Sequence, residues 1–182
     1  MTRTALHDFL DGVGSSWGAL TSELVAACQR RMEVLLAAPA EEAWLAELHR
    51  EALPTSELYR DPNHGFVLLA HAERSGLYRP PHDHGASWVL YGIQHGEVEM
   101  GSYARLVGED GEAHLVRRNT TRVSAGQAQL YLPGDIHDTL CLSDSALVFR
   151  FTERDLRIED KRGRLTRYTH QDGVWTTRSR VA

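Results

Sequence analysis

The sequence predicts a mainly β protein, a barrel or sandwich preceded by two or three helices. Three observations carry this expectation. Before Pro54 the apolar residues recur at three-to-four spacing, the period of one helix face. From Gly65 onward they fall into a succession of short apolar or alternating runs bounded by Gly, Pro, Asn or Asp, the pattern of strands and turns. The length, 182 residues, suits one folded unit, so the helical segment 1–54 is expected to pack on a barrel formed by 55–182.

Taken in order, the first helical run, 6–13, is weak, and Gly12 and Gly14 are expected to break it. A stronger run follows Thr21 and Ser22, either of which can cap it. Leu24, Cys28, Met32 and Leu35 form its stripe, and Pro39 stops it. Glu41 and Glu42 open a third, which carries Trp44, Leu45, Leu48 and Ala52 and ends at Pro54. The stretch 54–62 reads as the connection to the barrel. Strand-like runs then cover 66–72, 87–93, 97–106, 113–117, 120–123, 129–132, 139–142, 146–152, 165–170 and 174–178.

Composition narrows the function. Net charge is −5 and the basic residues are scattered apart from a modest run at 154–167, so nucleic acid is not an expected partner. No segment approaches the roughly 20 apolar residues that span a bilayer, and the N-terminus lacks a basic-then-apolar leader. A soluble cytoplasmic protein, monomeric or homodimeric, is expected. Cys28 and Cys141 lie in unrelated segments and do not form a disulfide framework.

The chemistry is concentrated in His82-Asp83-His84 and in Pro133-Gly134-Asp135-Ile136-His137. Residues two apart on a strand point to one face, so His82 and His84 can reach a common point, and His137 opens a second strand-like segment after a Pro-Gly turn. Three neutral imidazoles converging inside a barrel would hold one divalent transition metal and leave coordination positions open for a ligand.

Around these histidines, Pro80-Pro81 stiffens the entry and Gly92 and Gly96 bracket the next turn. The second segment reads Gly126, six residues, Pro133-Gly134, two residues, His137. This arrangement, over about residues 58–152, resembles the paired motifs of the cupin superfamily, which implies a double-stranded β-helix with a metal inside one end. The cupin first motif also supplies a glutamate, where this chain has Gly85-Ala86-Ser87-Trp88 and no acid before Glu97. A three-histidine set without a carboxylate is similar to the thiol dioxygenases, the cysteine dioxygenase and 3-mercaptopropionate dioxygenase group, and Asp61-Pro62-Asn63-His64-Gly65-Phe66 looks like their bacterial members. That resemblance implies Fe(II), with Ni or Zn able to replace it in recombinant protein, O2 as co-substrate and a small anionic or thiol-bearing substrate.

The chain departs from that group in three places. Its late strand reads Val148-Phe149-Arg150-Phe151-Thr152 where the group carries a Ser-x-His-x-Tyr run. The family arginine aligns nearer Ser56 than Arg60, and the stretch from His84 to Gly92 is one residue longer. A substrate carboxylate is therefore expected to meet Arg60, Arg79 or Arg150, with Arg150 favoured because a charge within an apolar run needs a specific placement. Tyr91 and Trp88 are candidates for the pocket mouth. Cys141, four after His137, shares its inner face by alternation with Thr139 between them, as a second candidate or as a small core residue. His64, His71, His95, His114 and His170 read as solvated or turn histidines, and Asp83 and Asp138 as outward-facing structural groups. Two other functions fit the same residues: a non-redox isomerase or lyase with the cation as Lewis acid, and a small-molecule-binding barrel without turnover.

Overall fold

The computed structural model describes residues 3–109, 111, 113–171 and 173–177. Three helices lead: α1 (Ala5–Ser15), α2 (Ser22–Leu36) and α3 (Ala43–Glu51). Thr4 and Thr21 cap α1 and α2 by accepting from the backbone N–H of His7 and Leu24. The glycines expected to break α1 lie within it. At Gly12 an added Cβ would stand 2.0 Å from Arg31 Nη1, so the missing side chain lets α2 lie close, and packing outweighs the roughly 1 kcal/mol propensity cost. α3 ends with Ala52 in the left-handed region at φ 45°, just before Pro54.

The strands are β1 (Ser56–Arg60), β2 (Val67–Arg74), β3 (Tyr78–His82), β4 (Val89–His95), β5 (Glu97–Val107), β6 (Ala113–Ser124), β7 (Ala128–Tyr131), β8 (Ile136–Cys141) and β9 (Ser145–Thr152). They form two antiparallel sheets, β1-β2-β9-β4-β7 and β3-β8-β5-β6. From β2 to β9 the chain passes repeatedly between the two, which winds them into a double-stranded β-helix. A short helix α4 (Leu156–Lys161) and a hairpin, β10 (Thr169–Gln171) with β11 (Val174–Thr176), complete the described fold. β11 covers the run expected at 174–178 as far as Thr176, and Arg178 lies outside the described residues.

Sequence and structure differ at several elements, among them β3, which lies between the strand-like runs expected at 66–72 and 87–93. β1 occupies most of the stretch read as a connection and pairs along β2. The runs 113–117 and 120–123 are one strand, because Ser102 pairs Asn119 while Tyr103 pairs Arg117 and Arg118 bulges between them. α4 stands in the run read as merely basic.

The five-stranded sheet is buried on both faces. Its outer face packs Leu68, Ala70, Leu90, Leu147, Phe149 and Phe151 against Phe9, Leu24, Cys28, Met32, Leu35 and Leu45 of the helices. Its inner face contributes Val89, Tyr91, Ile93, Ala146 and Val148 to a core shared with Val98, Met100 and Cys141 of the facing sheet. Along β9 the odd residues Leu147, Phe149 and Phe151 meet the helices and the even residues Ala146 and Val148 point inward, so Arg150 falls on the inner face. No helix among the described residues is long and apolar enough to cross a membrane.

Candidate metal centre

His82 and His137 are direct cross-strand partners at the end of the β3–β8 pair, which puts both rings on one face. His84 is not on the strand: β3 ends at His82, and the chain turns inward through Asp83 to bring the third ring across. Asp83 fixes that turn, its Oδ1 accepting from Gly85 N and Thr166 N at 3.0 Å each. Gly85 adopts φ +62°, where an added Cβ would lie 2.9 Å from the Arg164 carbonyl oxygen. Glu159 of α4, 1% exposed, accepts from Arg164 Nε at 2.8 Å and from Ala86 N at 3.4 Å. The segment after β9 thus straps the loop that presents His84.

The three histidines offer ligand atoms that all lie within 4.8 Å of one another. His84 Nε2 and His137 Nε2 are 3.3 Å apart. Two nitrogens sharing a tetrahedral ion at about 2.0–2.1 Å each would stand about 3.4 Å apart, so the spacing fits a common metal. His82 Nδ1 lies 2.9 Å from the Pro80 carbonyl oxygen, which can only accept, so the ring proton sits there and Nε2 keeps its lone pair. Tyr131 stacks on His137 with ring centroids 3.9 Å apart and orients it, since neither His137 Nδ1 nor His84 Nδ1 has a hydrogen-bond partner among the described residues. Burial holds all three rings neutral. It lowers His82, pushes His84 down to about 2 with help from His82 and Arg150, and holds His137 well below the ordinary range. Neutral buried imidazoles with free lone pairs are the form a divalent ion binds.

Behind His137, on the outer face of the sheet, Asp138 is 2% exposed and tightly held. It accepts from Gly101 N at 2.8 Å, from Tyr78 Oη at 2.9 Å and from Arg117 Nη2 at 2.7 Å. Its role is structural, as expected, and it locks β8 to β5 at the residue next to the ligand.

The centre lies between two spaces. An outer cleft of about 620 Å³ is lined by Arg79, His82, His84, Arg150, Arg157 and Arg167 among others. An inner chamber of about 30 Å³ is lined by His71, Glu73, Arg79, His82, Tyr91, Thr139 and Arg150, with Val98, Met100 and Val148. Arg150 and Arg79 border both, Arg79 donating from Nε to Glu73 Oε1 at 3.1 Å. Tyr91 is inside, its hydroxyl 3.2 Å from His84 Nε2, whereas Trp88 belongs to the core under the helices.

Two candidates are placed elsewhere. Arg60 donates to both oxygens of Glu57 and, from Nη1, to Asp155 Oδ2 at 2.7 Å, and it lines neither space. Cys141 is on the inner face but buried among apolar side chains. Its Sγ donates to the Ser143 carbonyl oxygen at 3.4 Å, burial raises its thiol pKa, and it too lines neither space. His71, read from the sequence as a solvated or turn histidine, is instead 7% exposed and lines the inner chamber with Glu73, which the sequence did not single out. β2 is buried on both faces, so its apolar run carries no alternation to show which way they point.

His71 sets a pH dependence. Burial first, and then Arg150, push its pKa down to about 3, while in the unfolded chain it titrates near 6.5. Below pH 6.5 the unfolded chain binds a proton that the folded one refuses, so folding stability falls with pH by up to about 1.4 kcal/mol per unit until about pH 3. Above pH 6.5 the residue contributes no slope. His71→Gln is expected to lose less stability than the parent between pH 7 and pH 5, by about 2 kcal/mol in urea unfolding. Equal losses in the two proteins would show that His71 is protonated in the fold.

No family model matches the sequence, and no curated protein matches it. Among solved structures, the cupin domain of Schizosaccharomyces pombe Cnp3 superposes with a TM-score of 0.44 at 13% identity, over 60% of this chain and 69% of that one. KdgF from Halomonas sp. gives 0.43 at 16% identity, over 57% and 82%. An oxalate oxidase in complex with the substrate analogue glycolate gives 0.42 at 16% identity, over 56% and 51%, so the chain spans about half that enzyme's length. What these proteins bind or do is their own. The winding of β2 to β9 between two facing sheets makes this chain a double-stranded β-helix, the fold of the cupins.

Proposed function

We propose that the protein is a mononuclear metal enzyme whose ion is held by His82, His84 and His137 and whose substrate is a small polar anion, with Fe(II)-dependent dioxygenation, of a thiol-bearing substrate among others, as the leading reaction. The observation that carries this reading is the meeting of three neutral imidazoles, His84 and His137 buried and His82 half-buried, within 4.8 Å at the junction of an arginine-lined cleft and a polar chamber. An all-nitrogen set with no carboxylate suits a borderline transition metal rather than magnesium or calcium. Such an ion, when bound, supplies Lewis acidity and, if it is redox-active, dioxygen chemistry.

The chain's own residues supply orientation. Arg150, on the inner face of β9 beside His82, offers a planar donor to an anionic substrate group entering through the cleft. Tyr91 places a hydroxyl against His84 and stays protonated, since burial raises its pKa. The apolar residues Val98, Met100 and Val148 limit solvent at the inner side. The second reading, a non-redox isomerase or lyase, is favoured by one observation: β9 reads Val148-Phe149-Arg150-Phe151-Thr152 where the thiol dioxygenases carry their Ser-x-His-x-Tyr run, and matches none of its three functional residues. Metal content after anaerobic purification, with oxygen uptake against a panel of small thiols and acids, separates the two. Iron and uptake with a panel member support dioxygenation; a redox-inert metal with turnover but no uptake supports the other.

Arg150→Met tests the recognition of charge. The parent is expected to prefer a small carboxylate over its neutral amide, and the variant to lose about tenfold of that preference in calorimetric titration, about 1.4 kcal/mol. An unchanged preference would remove Arg150 from substrate recognition.

A further inference from the structure

The inner chamber holds four buried polar atoms without a hydrogen-bond partner among the described residues: His71 Nε2, Glu73 Oε2, Thr139 Oγ1 and Arg150 Nε. His71, Glu73 and Thr139 are only 7%, 7% and 4% exposed. Buried polar groups are ordinarily paired, and leaving one unpaired costs about 1–3 kcal/mol, so four around one space call for an occupant. At about 30 Å³ the chamber has room for one or two water-sized groups.

The polarity of that occupant follows from the lining. His71 Nδ1 lies 3.2 Å from the Pro54 carbonyl oxygen, which can only accept, and 3.0 Å from Thr55 Oγ1, whose own proton goes to that same carbonyl at 2.7 Å. The His71 proton is therefore on Nδ1, and Nε2 faces the chamber as a bare acceptor. Glu73 turns its second oxygen to the same space, the first being held by Arg79. Among these unpartnered atoms two acceptors stand against one obligatory donor, Arg150 Nε, with Thr139 able to serve either way, while the other donors of the lining, Arg79 and Tyr91, are engaged with Glu73 and His84. Across the metal centre the outer cleft is lined by Arg79, Arg150, Arg157 and Arg167 together with Asp83 and Asp160. Arg79, Arg157 and Arg167 are ion-paired with Glu73, Asp155 and Asp160, which leaves Arg150 as the guanidinium offered to an anion. The ligand-binding space thus has an anion-attracting mouth and a donor-seeking inner end.

We infer that the chamber is a subsite for the hydrogen-bond-donating end of the substrate, a hydroxyl or an amine, received by His71 Nε2 and Glu73 Oε2 while the anionic end meets Arg150 in the cleft. The substrate class is then a short hydroxy acid or amino acid, not a plain carboxylate. This rests on the ligand pocket proposed above.

The test is calorimetric titration of the full chain saturated with Ni(II), using acids matched in size at two chain lengths. The probes are 3-hydroxypropanoate, 3-aminopropanoate and butanoate, then 4-hydroxybutanoate, 4-aminobutanoate and pentanoate. At one length at least, the hydroxyl or the amine is expected to bind tenfold or more tightly than the methyl analogue, and which of the two is tighter identifies the donor. Glu73→Gln should reduce that advantage tenfold while changing the methyl analogue less than threefold, and His71→Gln should act in the same direction if the first variant fails to fold. Equal binding of all three acids at both lengths, or an advantage that survives both substitutions, would overturn the subsite and leave the metal-centred pocket intact. Failure of every acid to bind would overturn both.

Discussion

Alanine at any one of His82, His84 and His137 is expected to lower bound metal tenfold or more. Each ring supplies one of three nitrogens, and loss of a mere supporting hydrogen bond around a metal typically costs 10–100-fold, so loss of a ligand should cost at least as much. The structure makes the three non-redundant. His82 arrives from the end of β3, His137 from β8 and His84 from the strapped loop, and the described residues hold no other group of three or more His, Cys, Asp or Glu positioned to take an ion. Metal content after dialysis checks this, with His64→Ala, an exposed position, as the control. A second readout is thermal: an ion at a hundred times its dissociation constant stabilises the fold by about 2.7 kcal/mol, so the parent should melt higher with metal and the variants should not. Full metal content in any of the three variants would end the reading.

That site was legible from sequence because its signal is local and chemical: two histidines two apart, and a third after a Pro-Gly turn. The geometric reason was only partly right, since His84 lies beyond the end of β3 and reaches the centre through the Asp83–Gly85 turn. What stayed hidden depends on partners distant in sequence. Arg60 reads as a free cation, but Asp155, 95 residues later, takes it. The strap from Glu159 to Thr166 reads as a charge run, because the burial of Glu159, its ion pair with Arg164 and its bond to Ala86 exist only once the barrel has closed. His71 and Glu73 were invisible as pocket residues for the opposite reason. A strand covered on both faces shows a continuous apolar run, and its inward set has no signature. The same ambiguity left Arg150 with no assigned face until the alternation of Leu147, Phe149 and Phe151 against the helices placed it inside.

Residues 55–182 expressed without the N-terminal segment are expected to show no cooperative melting transition near that of the full chain. The helices cover Phe66, Leu68, Ala70, Trp88, Leu90, Leu147, Phe149 and Phe151, all between 0% and 4% exposed. Uncovering a large apolar side chain costs about 1.5–3 kcal/mol, and a domain holds only about 5–15 kcal/mol in total, so exposing this set exceeds the margin. The fit is close as well as extensive: at Gly92 of β4 an added Cβ would meet Met32 Cγ at 2.8 Å, so α2 rests directly on the strand backbone. Single substitutions grade the effect without removing an element. Met32→Ala and Leu35→Ala should each cost about 2–5 kcal/mol in urea unfolding, and a truncated barrel melting with the full chain would show that the helices are dispensable. The consequence reaches the metal centre although no residue of α1, α2 or α3 lines the cleft or the chamber. β4 carries Tyr91, and β9 carries Arg150, on the face opposite the one the helices press. Side chains aimed at a ligand are held only as firmly as the strand behind them, so the helices serve as the rigid backing of the pocket wall.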